Sequence, residues 1–86
     1  MLAEQTVFEA VIGRNEEGYL ALIPQLPSCS AYGETLTKAI KNISEVATLS
    51  LAHARKYGFA VGSHEGEEYL RGQGFDIVEK RPIRIK

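Results

Sequence analysis

Between residues 6 and 13 the chain reads Thr-Val-Phe-Glu-Ala-Val-Ile-Gly, a nearly continuous apolar run with one charge. Val7, Phe8, Val11 and Ile12 favour extended backbone, so this is read as a first strand. A period of two puts Val7, Glu9 and Val11 on one face and Phe8, Ala10 and Ile12 on the other. The second set is wholly apolar and is assigned to the core. Arg14-Asn15-Glu16-Glu17-Gly18 follows as a polar loop, matching a hairpin with a type I turn and a left-handed glycine. Residues 19–24, YLALIP, read as an antiparallel second strand bordered by Pro24, which has no N–H for a ladder. Gln25-Leu26-Pro27 forms a restricted turn, because a residue before proline is pushed out of the helical region. Residues 28–32, SCSAY, read as a short third strand closed by Gly33.

The period then changes. Leu36, Ile40, Ile43, Ala47, Leu51 and Ala54 mark one face of a helix running to about Tyr57. Thr35 is placed to cap its N-terminus, although Lys38 stands where a capping box wants Glu. Arg55 and Lys56 suit the last turn, where the helix dipole favours cations, and Gly58 suits a left-handed C-terminal stop. The helix carries a second apolar edge, Ala39, Val46 and Leu49. Two readings of it stand side by side: packing beneath the C-terminal segment, or contact with another subunit. Residues 59–63 read as a turn or extended crossing, and 64–72 as one or two helical turns. Phe75-Asp76-Ile77-Val78 and Ile83-Arg84-Ile85 alternate like strands with Pro82 between them. One of the two is expected to join the sheet, with the stretch from Phe75 favoured. The order is β-β-β-α, a minor helix, then β: an α+β domain with a three- or four-stranded, mainly antiparallel sheet and one long helix packed on it.

The chain's 86 residues make one domain with a thin core. A net charge of −1 disfavours nucleic acid as a direct partner, since that binding rests on concentrated Lys and Arg. A weakly acidic domain suits a basic protein instead. The single cysteine, Cys29, forms no internal disulfide, and the cytoplasm is the expected compartment. No signal-peptide pattern and no membrane-length apolar run is seen, and no cofactor is expected. His53 and His64 lack metal-ligand spacing. His53 is assigned to the helix surface or edge, His64 to a solvated turn, and Cys29 to a packed core position rather than a nucleophile.

Gly18-Tyr19, Pro24-Gln25-Leu26-Pro27-Ser28-Cys29 and Gly33-Glu34-Thr35, with the helix residues Ala39, Asn42 and Glu45, form an ordered set. In that order and spacing the chain resembles the HicB-type antitoxin family, including its short single-domain members. The resemblance covers roughly Val7–Tyr57. Ser28 departs from it, standing where the family's turn has glycine, which puts a left-handed conformation there in doubt. The resemblance implies a partial RNase H-like fold. It also implies a partner, a small HicA-type mRNA-cleaving toxin whose catalytic histidine and RNA-binding face the antitoxin would cover, and a homo-oligomer, dimer or tetramer. Longer members carry a C-terminal DNA-binding domain; no such helical pair is read here, so direct DNA binding is not expected.

An RNase H-like shape raises the question of nuclease chemistry, which needs several carboxylates converging on two Mg²⁺ ions. Only Glu9 is placed on a strand, and Asp76 is the sole aspartate. An enzyme is therefore not expected. The residues assigned to a toxin-facing surface are Glu16, Glu17, Tyr19, Leu26 and Glu34; those assigned to a subunit contact are Ala39, Val46 and Leu49. A loop carboxylate is by default only solvated charge, and Tyr19, Leu26 and Tyr32 could equally be packing residues. The alternative function is a solitary structural or regulatory oligomer that keeps the fold without a toxin.

Overall fold

In the computed structural model, residues 6–26, 29–57 and 65–85 are described. The elements are β1 (Thr6–Asn15), β2 (Gly18–Leu22), β3 (Ser30–Gly33), α1 (Leu36–Tyr57), α2 (Glu65–Gly72) and β4 (Asp76–Ile85). The four strands form one sheet in the order β3-β2-β1-β4, every neighbouring pair antiparallel. This is the α+β architecture expected from the periodicity. The expectations for Pro27, Ser28, Gly58, residues 59–63 and His64 lie outside the described residues.

The alternation in β1 sorts the two faces of the sheet. Phe8, Ala10 and Ile12 are buried with Ala21, Ile23 and Ile83 against Ala39, Ile43, Ala47, Leu51 and Ala54 of α1. Alanines on both layers let helix and sheet approach closely, and Ile12, Ile23, Ile43 and Leu51 fill the space between. Each such buried Ile or Leu contributes about 1.5–3 kcal/mol relative to exposure. On the opposite face Val11 and Leu22, a cross-strand pair, are covered by Leu70 of α2, with Leu20, Phe75 and Ile77 around them. The sheet is therefore sandwiched between a long helix and a short one.

Local chemistry explains the element ends. The Lys38 N–H donates to Thr35 Oγ1 at 3.2 Å, so Thr35 caps α1 as read from the sequence. At the end of α2, Phe75 N–H donates to Leu70 O (2.9 Å) and Gly74 N–H to Arg71 O (3.1 Å). Gly74 has φ +87°, and Phe75 and Leu70 share the smaller core cluster. This is a Schellman stop followed by a hydrophobic clasp, and it turns the chain into β4.

Several boundaries differ from the sequence reading; β3, read as 28–32 and closed by Gly33, is Ser30–Gly33, with Gly33 paired to Tyr19. The β1–β2 ladder continues to Asn15–Gly18, so only Glu16 and Glu17 form the turn. Asn15 Oδ1 closes it by accepting from the Glu17 (2.9 Å) and Gly18 (3.1 Å) N–H groups. β2 ends at Leu22: the Ile23 N–H still pairs in register with Cys29 O (3.0 Å), but the Ile23 carbonyl accepts from Leu26 N–H (3.1 Å) and so opens the turn instead of continuing the ladder. The two C-terminal alternating stretches are one strand, not alternatives. β4 runs through Pro82, opposite Glu9, with a bulge where Ile12 and Gly13 face Glu79 and Ile77. Proline is tolerated there because β4 is an edge strand, whose outer side needs no N–H donor.

Candidate functional site

Strand register brings most of the acidic residues singled out in the sequence to one end of the sheet. Asn15 pairs with Gly18 and Tyr19 with Gly33, so the Glu16-Glu17 turn and Glu34 project from that same end. All three glutamates are exposed. Glu34, just before the Thr35 cap, lies 3.7 Å from Lys38 in the first turn of α1. Tyr19 is half-buried, its ring packed on the α1 side of the core. Tyr32 sits one residue from Gly33 on the opposite pleat, and its hydroxyl donates to the Glu17 carbonyl, tying edge strand β3 to the turn. Asn42 of α1 donates to Tyr32 O at 2.8 Å, fixing the other side of the same residue. The turn is thus held by its own Asn15, by Tyr32 and, through Tyr32, by α1.

Asp76 extends the acidic end. It pairs with Arg14, and a shallow open depression lined by Arg14, Asn15, Glu16, Gly74 and Asp76 lies beside the turn. Asp76 was not part of the site read from the sequence. Its position depends on β4 pairing with β1, for which the chain carries no local signal. The end presents exposed carboxylates of Glu16, Glu17, Glu34 and Asp76, with Arg14 and Lys38 beside them.

Two assignments are corrected by burial. Leu26 is only 3 % exposed and belongs to the main core. It follows the far end of β2, away from the acidic turn, so it supports the fold and offers no anchor at this surface. Ala39 is fully buried, its backbone pressed on Gly33, which removes it from any subunit contact. Val46 is half-buried against the core, and Leu49 is exposed.

Cys29 is buried at 4 %, and burial pushes its thiol above the ordinary value of 9.0, opposed by hydrogen bonds with Ser50 and the Ile23 backbone. His53 is exposed on α1, its ring 4.6 Å from that of Tyr57. Glu9 and Asp76 do not converge. Glu9 pairs with Pro82 and Asp76 with Arg14, five residues along β1 from Glu9 and so about 17 Å away. Among the described residues no group of three or more His, Cys, Asp or Glu is arranged to hold a metal ion. Among the same residues no helix is long and apolar enough to cross a membrane.

A chain of a solved HicA3 and HicB3 toxin-antitoxin complex superposes on 94 % of this chain and 99 % of its own length, with a TM-score of 0.60 and 18 % identity. The fold is HicB-like. No family model matches the chain. In sequence it is similar to a UPF0150 protein of Synechocystis sp., 42 % identical over 45 residues that make up 51 % of this chain and 65 % of the relative. It is also similar to a UPF0150 protein of Helicobacter pylori, 38 % identical over 45 residues, 52 % of this chain and 62 % of the relative. The match spans just under two thirds of the length of these curated relatives. The HicB-like fold covers more of the chain than the 45 residues shared with these relatives.

Proposed function

We propose that this protein is an antitoxin-type binding module that neutralises a small basic HicA-type toxin by covering its mRNA-cleaving site. The observation that carries the reading is the HicB-like fold over 94 % of the chain, the fold of a chain from a toxin-antitoxin complex. The acidic end supports it. Glu16, Glu17 and Glu34, backed by Tyr19, would meet the cationic surface that a toxin uses for RNA, and complementary charge speeds encounter and favours the right partner. The separation of Glu9 from Asp76 supports binding rather than catalysis. A lone buried thiol supports a reducing compartment such as the cytoplasm.

Co-expression with the small reading frame adjacent to the native gene tests the proposal. The expected result is that the neighbour alone arrests growth, that this protein restores it, and that the two co-purify. Failure of both rescue and co-purification overturns it. Replacing Glu16, Glu17 and Glu34 together by Lys should slow association and weaken the complex at low salt while leaving the far-ultraviolet circular dichroism unchanged.

A further inference from the structure

Among the described residues of α2, Leu70 is the one large side chain that is fully buried, lying over Val11 and Leu22, while Glu68 and Tyr69 are exposed. By contrast α1 buries Ile43 and Leu51 together with Ala39, Ala47, Ser50 and Ala54. Two glycines seat the short helix. A methyl on Gly66 would come within 2.5 Å of Pro24 and 2.9 Å of Leu22, and one on Gly13 of β1 within 2.8 Å of Phe75 Cβ and 3.4 Å of Leu70. The hydrogen bonds of Gly74 and Phe75 back to Arg71 and Leu70 join α2 to the start of β4. The β1–β4 ladder is interrupted just beyond that point. Glu79 faces Ile12 and Ile77 faces Gly13, so Val78 between them has no partner in the register and is exposed. On the near side of this bulge Asp76 and Ile77 pair with β1, and Ile77 packs with the smaller cluster; on the far side Ile83 belongs to the main core. The Glu67–Lys80 ion pair spans the bulge from α2 to the long part of β4.

We propose that residues 66–77 form a cover that opens as one unit about the Val78 bulge while the main core stays folded. A segment held by few buried apolar side chains opens at a lower free energy than the whole domain. A bulge supplies the place to bend, because it breaks the ladder and leaves one residue unpaired. Opening has two consequences. It bares Val11 and Leu22 on the same sheet face as Val7, which is already half exposed in the closed form. It also carries Gly74 and Asp76 away from Arg14, Asn15 and Glu16, with which they line the depression at the acidic end. The closed form thus presents the full set of carboxylates, and the open form lacks Asp76 and offers an apolar strip. The effect on a partner rests on the antitoxin reading, whereas the opening is a property of the isolated chain.

Native-state hydrogen exchange of the isolated full chain is the test. The Gln73, Gly74 and Phe75 amides donate to carbonyls of Tyr69, Leu70 and Arg71. They should exchange as one group, at least about tenfold faster than the amides of Ile43 and Ala47 in α1 and of Arg81 and Ile83 in β4. Leu70→Ala and Gly13→Ala should each speed this group about tenfold or more. Lys80→Glu should speed it about two- to fivefold, and Glu67→Lys in that background should restore the rate. Ile43→Val should speed the α1 amides about two- to tenfold and leave the cover amides unchanged, because the main core is intact whether the cover is open or closed. If Ile43→Val speeds both groups alike, the cover opens only with the whole domain and the proposal is overturned. A cover group unmoved by both Leu70→Ala and Gly13→Ala also overturns it, since simple fraying does not depend on that seat. Absence of a toxin partner would leave these rates as they are, so the two readings fail separately.

Discussion

Gly33 lies directly against the backbone of Ala39: a methyl placed on Gly33 would come within 2.7 Å of the Ala39 Cα. The first turn of α1 thus rests on β3 with no side chain between them. That contact seats the helix on the sheet and, with the Asn42–Tyr32 bond, aligns it beside the acidic end. Gly33→Ala should force the helix away from the sheet and destabilise the fold by about 1–3 kcal/mol or more, since the obstacle is backbone. In a domain of this size each kcal/mol corresponds to a fall of about 4–8 °C in Tm. Thermal unfolding followed by circular dichroism checks it.

Leu26 separates a packing role from a binding role. Truncation to Ala should cost about 2–5 kcal/mol, as for other buried leucines. The affinity of the remaining folded protein for a partner should be unchanged, because Leu26 follows the end of β2 remote from the acidic turn. Denaturant titration alongside a binding isotherm at a temperature where the variant is folded distinguishes the two.

Gly18 is held at φ +154° with the Tyr32 hydroxyl where its side chain would be, 2.5 Å from an added Cβ. Gly18→Ala is expected to destabilise by more than about 1 kcal/mol through strain and displacement of Tyr32. Tyr32→Phe removes only the hydrogen bond to Glu17, a loss of about 0.5–1.5 kcal/mol. Hydrogen exchange at the Glu16–Gly18 amides should quicken in both variants, and more in Gly18→Ala.

Cys29 gives a pH dependence with a definite sign. Its thiol is raised above 9.0 in the folded state by burial. Below 9.0 the thiol is protonated whether folded or not, and pH has no effect through it. Above that value the unfolded chain releases the proton while the folded chain keeps it, so stability falls as pH rises. Urea midpoints should decline on the alkaline side, and a Cys29→Ala variant should lack this part of the decline. Thiol reagents at neutral pH should modify the native protein only as fast as it opens.

The hydrophobic periods and the Thr35 cap were legible in the chain because each depends on residues within a few positions of one another, and the presence of a hairpin after β1 was legible too, although its turn is two residues long and not five. They determined the α+β class, the order of elements and the face of β1 that meets α1. The resemblance carried by Gly18–Thr35 pointed to the HicB-like fold for the same reason, as an ordered local pattern. Only the tertiary structure decided which of those residues reach the surface. Leu26 and Ala39 look available in sequence, yet one is enclosed by the core and the other pressed on Gly33. Pro82 reads as a break in sequence, yet β4 continues through it because an edge position spares the missing N–H. Asp76 joins the acidic end through pairing across more than sixty positions of chain. Burial and strand pairing are properties of two or more elements together, and a period read along one element cannot contain them.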